Sequence, residues 1–164
     1  DICFIPGGDY GAFIEAHTGT PCPSGDFLNL EGQVVGRHRG ALRYTLGQRK
    51  GLGLAMGEPV YVCGKNMAEN TVTVGPEQAL YTQEILVEDL NWISIEALSA
   101  PLRVRAKTRS RQQEQDAVLY PEGAGDLVRV VFDQPQRAVT PGQAAVFYDG
   151  DTVVGGGTIV DGAF

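Results

Sequence analysis

The sequence predicts a mostly β protein: a small central β-rich domain followed by a C-terminal six-stranded β-barrel. Three observations carry that expectation. The 164 residues include 22 Gly and 9 Pro, a composition that suits short strands and tight turns better than long helices. From about Glu84 onward, apolar residues alternate in short runs separated by turn residues. Six such runs in succession are best satisfied by closing them into a barrel, which leaves no exposed strand edge. The hydrophobic fraction of 43% is enough for one ordinary core or two small ones.

In chain order, Gly7-Gly8-Asp9 reads as a turn ending in a helix N-cap, and Tyr10 to His17 as about two helical turns stopped by Thr18-Gly19. Pro21, Pro23 and Gly25 keep the next stretch extended or turning. Asp26 to Leu30 and Gln33 to Arg37 flank Glu31-Gly32, a candidate two-residue hairpin loop with positive φ. Val60 to Gly64 and Thr71 to Gly75 form a second hairpin candidate, its loop ending in Glu69-Asn70. The barrel strands are placed at Glu84 to Leu90, Leu102 to Arg109, Gln115 to Tyr120, Leu127 to Phe132, Ala144 to Tyr148 and Thr152 to Val160, with Asp149-Gly150 as a hairpin turn. Glycines 155, 156 and 157 interrupt the last strand and suggest a bulge or a close backbone approach. The expected division is a central domain over 11–82 and a barrel over 83–164.

The formal net charge of −7 argues against a uniformly basic surface that coats nucleic acid. The distribution says more than the sum. Ten of the 13 Lys and Arg fall in two windows that contain no acid: Arg37, Arg39, Arg43, Arg49 and Lys50, then Arg103, Arg105, Lys107, Arg109 and Arg111. No apolar run approaches the roughly 20 residues that span a bilayer. No basic segment followed by an apolar one marks a signal peptide. A cytoplasmic protein without membrane contact is therefore expected. Cys3, Cys22 and Cys63 are odd in number, far apart and without a CxxC pair, and only His17 and His38 supply imidazole. Neither a disulfide framework nor a metal site is expected from that pattern. The chain opens on Asp1-Ile2-Cys3 without an initiator Met, which leads to the expectation of an excised fragment.

In Leu102 to Arg111 every odd position from 103 is cationic. Strand side chains alternate faces, so a strand running through would put all five cations on one face, a row of about 13 Å at roughly 3.3 Å per residue. Two readings fit: a track for backbone phosphates, or a solvated face balanced by neighbouring acids. Leu46 to Gly53 is a basic, Gly-rich loop that can hold a phosphate through its amides with Arg49 or Lys50. Equally, its glycines can serve only to allow positive φ, and it lacks the Walker pattern. By its surroundings alone Cys3 reads as a small buried thiol, as do Cys22 and Cys63.

Three sets of residues together resemble one family. Asp1-Ile2-Cys3-Phe4-Ile5 resembles the ICFI motif of the tRNA-specific 2-thiouridylases. Tyr44 to Gly53 resembles their TLGQRKGLG segment. Lys107 to Gln112, Ala138 to Tyr148 and Gly155-Gly156-Gly157 resemble their C-terminal barrel. The resemblance runs in order over nearly the whole chain. It implies an enzyme that 2-thiolates the wobble uridine of tRNA. An N-terminal ATP-pyrophosphatase-type domain, with an SGG-x-DS loop and a first catalytic cysteine, would bind ATP, and neither feature is present here. Residues 1–10 would then be the remnant of that domain.

By its motif Cys3 matches the catalytic, persulfide-carrying cysteine, and disulfide chemistry is implied with it. Arg109 and Ser110 match a tRNA-contacting pair, Ser110 standing where some relatives carry an aromatic, and Gln143 matches a further contact. Arg103, Arg105, Lys107, Arg49 and Lys50 join these as secondary tRNA-binding candidates. The implied partners are tRNA and a persulfide sulfur carrier or cysteine desulfurase system, with ATP bound outside this chain and no metal. The alternative is a non-catalytic RNA- or protein-binding module resembling the β-barrels of translation factors.

Overall fold

The computed structural model describes residues 10–19, 22–123 and 127–160. The candidate persulfide carrier Cys3 and the N-cap at Asp9 lie outside the described residues. The chain divides into two compact units, Asp1–Leu80 and Tyr81–Phe164. Among the described residues no helix is long and apolar enough to cross a membrane.

The first unit begins with helix α1, Tyr10–Thr18. It ends where the sequence stops it: Gly19 takes φ 66° and its N–H donates to the Glu15 carbonyl at 2.9 Å. The Glu15 side chain then anchors the chain beyond the helix. Its carboxylate accepts the Cys22 N–H at 2.9 Å and pairs with Arg43 at 3.0 Å. Both bonds hold the Glu15 carboxyl below the usual carboxylate range, the Cys22 bond first. A side chain at Gly11 would meet the Arg43 guanidinium at 2.2 Å, so glycine there lets the cation lie on the helix. Arg43, one of the basic window, is therefore a structural tie.

Strands β1 (Gly25–Leu28), β2 (Val34–His38), β3 (Tyr61–Asn66) and β4 (Thr71–Gly75) form one sheet in the order β2-β1-β4-β3, with β1 parallel to β4. Both expected hairpins exist, but the first loop is longer than two residues. Asn29 N–H donates to Gln33 O at 2.9 Å and Gly32 N–H to Asn29 O at 3.0 Å, and of Glu31-Gly32 only Gly32 has positive φ. The Asn29 side chain accounts for the extra length, since its Oδ1 accepts the N–H groups of Glu31 and Gln33. The core beneath this sheet holds Phe27, Ala41, Tyr44, Leu52, Val62, Val72 and Val74.

His38 is buried in that core, not at the surface as a polar side chain suggests. It sits edge-on to Phe27 and Tyr44. Gly40 N–H donates to its Nδ1 at 3.0 Å, which leaves the proton on Nε2, 3.1 Å from the Asn70 carbonyl. Desolvation pulls its pKa down, so the ring is kept neutral.

The second unit is a closed barrel in the order β10-β5-β8-β7-β6-β9. Its strands are β5 (Tyr81–Trp92), β6 (Leu102–Lys107), β7 (Gln115–Glu122), β8 (Leu127–Arg137), β9 (Ala144–Asp149) and β10 (Thr152–Val160). All six pairings are antiparallel. Inward positions alternate as expected: Val104 and Ala106, Ala117 and Leu119, Val128, Val130 and Phe132, Ala145 and Phe147. Alanines facing phenylalanines fill a narrow interior without overpacking it.

Strand β8 runs past Phe132 through Pro135. Its end pairs only with β5, at Thr82↔Gln136 and Tyr81↔Arg137, while β7 stops pairing at Phe132. A proline is tolerated where no neighbour needs its missing N–H. The glycines of β10 close the barrel. A side chain at Gly157 would stand 2.3 Å from the Glu88 carbonyl and one at Gly156 2.5 Å from that of Ala145. The register slips on both neighbours there, between Gly156 and Thr158 against β5 and between Val153 and Gly155 against β9.

Candidate nucleic-acid interface

The cationic row does not run straight through residue 111. Strand β6 ends at Lys107, and Thr108 onward turns. Gln112 N–H donates to Arg109 O at 3.2 Å, a turn that leaves Ser110 and Arg111 exposed at its tip. The sequence pattern places the strand end at Arg109. The strand stops earlier because the backbone N–H of the buried Thr108 turns to Gln112 Oε1 at 3.4 Å instead of prolonging the ladder, and its hydroxyl donates to the same oxygen at 2.9 Å.

Arg103 and Arg105 do point outward, and both are neutralised locally. Arg103 makes a two-pronged pair with Asp133, with one bond at 2.8 Å. That pair holds the Asp133 carboxyl below its usual range and raises the pKa of the guanidinium. Arg105 pairs with Glu114 at 3.1 Å and donates to the Gly150 carbonyl at 2.8 Å. These acids lie outside the basic window, so the run of cations alone holds no sign of them. Elsewhere on the barrel, Arg129 is engaged by Glu122 at 2.7 Å and Glu84 at 3.5 Å and lies 4.7 Å from the Tyr120 ring centre.

Beyond the paired arginines the charge is uncompensated. Lys107, Arg109 and Arg111 have no ion pair among the described residues. Arg109 is not loose, however: its Nη2 donates a short hydrogen bond to the carbonyl of Ala138. Ala138 has φ 52°, an uncommon conformation for a residue with a Cβ, and its carbonyl also accepts the Thr140 hydroxyl at 3.2 Å. This fastens the turn after β6 to the segment Ala138 to Gln143. That segment is itself closed by Gln143 N–H on Thr140 O at 3.3 Å, and by Gly142 N–H on Ile159 O at 2.7 Å, with Gly142 at φ 81°. Since Lys107 pairs with Val146, the exposed Gln143 enters β9 beside the end of β6. One end of the barrel thus gathers Lys107, Arg109, Ser110 and Gln143.

In the first unit the loop Thr45 to Gly53 is held by its own amides. Gln48 N–H donates to Thr45 O at 2.9 Å, and Gly47 N–H to Val62 O at 2.8 Å. The Gln48 side chain accepts the Thr45 N–H at 3.0 Å and donates to Lys50 O at 2.9 Å. Gly47, Gly51 and Gly53 all have positive φ. The amides at Thr45, Gly47 and Gln48 are bonded within the protein, so they do not form a phosphate cradle. Arg49 and Lys50 are at the loop tip and have no ion pair among the described residues. Their base is firm: Tyr44 and Leu52 are buried on either side, and the Lys65 ammonium donates to Tyr44 O at 2.9 Å.

Cys63 is a thiol whose pKa burial pushes up, donating to the Tyr61 carbonyl at 3.3 Å. Neither Cys22 nor Cys63 is in a disulfide, so the disulfide chemistry that the resemblance implies involves no pair among the described residues. No group of three or more His, Cys, Asp or Glu among the described residues is placed to hold a metal ion.

Comparison with known proteins matches both units. Residues 11–76 match the family described as tRNA methyl transferase PRC-barrel domain, and residues 82–159 the aminomethyltransferase beta-barrel domain. The tRNA-specific 2-thiouridylase MnmA of Acetivibrio thermocellus is 54% identical over 159 residues, covering 97% of this chain and 44% of that protein. Its namesake from Heliobacterium modesticaldum is 50% identical over 164 residues, and that from Symbiobacterium thermophilum 49% over 159. The chain spans less than half the length of each of these relatives: 44%, 42% and 40%.

Proposed function

The chain belongs to the tRNA-specific 2-thiouridylase family over the stretch it shares with those proteins, and we propose that it forms the central and tRNA-binding parts of such an enzyme. The substrate is the wobble uridine of tRNA. ATP, bound outside this chain, supplies the adenylyl group that turns the uridine 2-oxygen into a leaving group. The terminal sulfur of a persulfide on Cys3 then attacks C2, and the C–O bond breaks as AMP departs. The thiol of the first catalytic cysteine, outside this chain, attacks Cys3 Sγ, so that the S–S bond to the transferred sulfur breaks, a disulfide forms between the two cysteines and the sulfur stays on C2. A persulfide is more acidic than its parent thiol, so an ordinary cysteine becomes a competent donor once a sulfur carrier or desulfurase has charged it.

The described residues contribute binding and orientation. Arg109 and Ser110, on a turn bonded to the loop that carries Gln143, present one guanidinium, one hydroxyl and one amide, a donor set suited to phosphate and ribose. Lys107 adds a point charge beside them, and Arg49 and Lys50 a separate pair in the first unit. Arg103 and Arg105 contribute less, because binding RNA through them would first cost their pairs with Asp133 and Glu114. A folded RNA is suitably held this way, by backbone contacts from a rigid surface while the target base is turned out for reaction.

The observation that carries this reading is the fastening of Arg109 to the Ala138 carbonyl, which joins two loops matched to the family into one surface. Photocrosslinking tests it: bound tRNA should crosslink within residues 107–111 and 140–143. Crosslinks confined to the opposite end of the barrel, at Gly150, would refute it.

A further inference from the structure

The loop between β6 and β7 is shaped by a buried relay of side-chain amides. Thr108 is 3% exposed and Gln136 5%. The Thr108 hydroxyl donates to Gln112 Oε1 at 2.9 Å. Gln112 Nε2 donates to Gln136 Oε1 at 2.7 Å, and Gln136 Nε2 to the Gln134 carbonyl at 2.6 Å. Among the described residues no buried side-chain polar atom lacks a partner, so the relay is complete. Such networks favour the fold only when every member is satisfied, and a complete one fixes geometry strongly.

What the relay fixes is the turn from Arg109 to Gln112. That turn has one internal bond, Gln112 N–H on Arg109 O, at a long 3.2 Å. Its shape therefore comes from three outside anchors: Arg109 on the Ala138 carbonyl, Gln112 on Gln136, and Arg105 on Glu114 at the far end of the loop. Two of the three tie it to the chain between Gln136 and Ala138. Gln112 is itself half-buried, so its amide serves the protein while Ser110 and Arg111 face solvent.

We propose that Gln112 is a positioning residue for RNA binding: through Thr108 and Gln136 it holds the turn in the geometry that presents Arg109 and Ser110 to an RNA phosphate. This rests on the reading of the loop as an RNA-binding surface. Holding a binding loop in its bound shape removes an ordering cost from association and adds no contact to the ligand. The relay is thus a means of affinity without charge.

The test is tRNA affinity of the full-length protein across a range of salt for wild type, Gln112→Ala, Gln112→Met, Arg109→Ala and the double variant Arg109→Ala/Gln112→Ala. Gln112→Ala should weaken binding by about fivefold, the scale of ordering a few rotamer-rich side chains. Its salt slope should equal that of wild type, because no phosphate contact is removed. In the double variant the Gln112 change should add little to the Arg109 change, since one acts through the other. Gln112→Met fills the same space without the amide and carries the same comparison should the alanine variant fail to fold. Wild-type affinity in both Gln112 variants, with Arg109→Ala weakened, would overturn the proposal and leave the RNA-binding reading standing. Independent, multiplying effects in the double variant would overturn it as well. An unaffected Arg109→Ala would instead bring down the RNA-binding reading beneath it.

Discussion

Arg109 donates from its guanidinium to the carbonyl of Ala138, 29 residues away in the chain, and so ties the turn after β6 to the loop before β9. The tie uses one of the five N–H donors of the guanidinium and leaves the others for a ligand. Lysine cannot divide its donors along a flat fork in this way. Arg109→Lys should therefore keep the charge but lose the tie. Its tRNA affinity should fall toward that of Arg109→Ala while the salt slope stays near wild type, as a filter-binding series across salt would read.

The Cys63 thiol is kept protonated by burial and donates to Tyr61 O. It should react with iodoacetamide far more slowly than a model thiol at pH 8. Cys22→Ser and Cys63→Ser should each retain most thiolation activity in the full-length enzyme, whereas Cys3→Ser should abolish it. A Cys63→Ser loss equal to that of Cys3→Ser, read by mass spectrometry of the modified tRNA, would reassign the sulfur carrier.

His38 supplies a pH dependence whose sign is fixed by its burial. Desolvation lowers its pKa in the folded protein, opposed by the bond to Asn70 and by Asp26, and supported by Arg37. The unfolded chain takes up the proton first, near the ordinary histidine value of about 6.5. The first unit should therefore be most stable above that pH and lose stability as pH falls through it. An NMR titration should place the His38 midpoint below 6.5, and a midpoint above that value would contradict the buried neutral ring.

Closure of the barrel depends on the glycines of β10. Gly157→Ala would set a methyl group 2.3 Å from the Glu88 carbonyl, a backbone atom that cannot swing aside. Overpacking of this kind costs about 1–3 kcal/mol. Phe147→Ala, which empties the middle of the barrel core, should cost about 3–5 kcal/mol. Urea unfolding of the two variants reads both numbers.

The barrel strands were legible because an inward apolar residue alternates with an outward polar one along each of them, and because turn residues separate them. The Asp149-Gly150 signal marked its hairpin within one residue: β9 ends at Asp149 and β10 begins at Thr152. What the sequence could not carry was pairing between distant positions. Asp133 meets Arg103 across 30 residues and Glu114 meets Arg105 from beyond the turn, so a run of five cations with no acid in it still contains two neutralised members. The Gln112–Gln136 relay was hidden for the same reason, since neither glutamine stands out in its own segment. A pointer did exist for His38: it lies in a strand whose alternation puts it inward, with Phe27 opposite Gly36 on the neighbouring strand.

The central claim, that the turn at Arg109 holds tRNA, is tested most directly by the salt dependence of tRNA affinity in the full-length protein, with Arg109→Ala beside Arg103→Ala. Each phosphate contact releases counter-ions, so losing one flattens the slope by about one unit. Arg109→Ala should show that flattening and bind more weakly by about 1–2 kcal/mol, the scale of one charged hydrogen bond. Arg103→Ala, whose charge is already met by Asp133, should leave the slope near wild type. Unchanged affinity and slope in Arg109→Ala would contradict the account, and the cationic end of the barrel would be a solvated surface only.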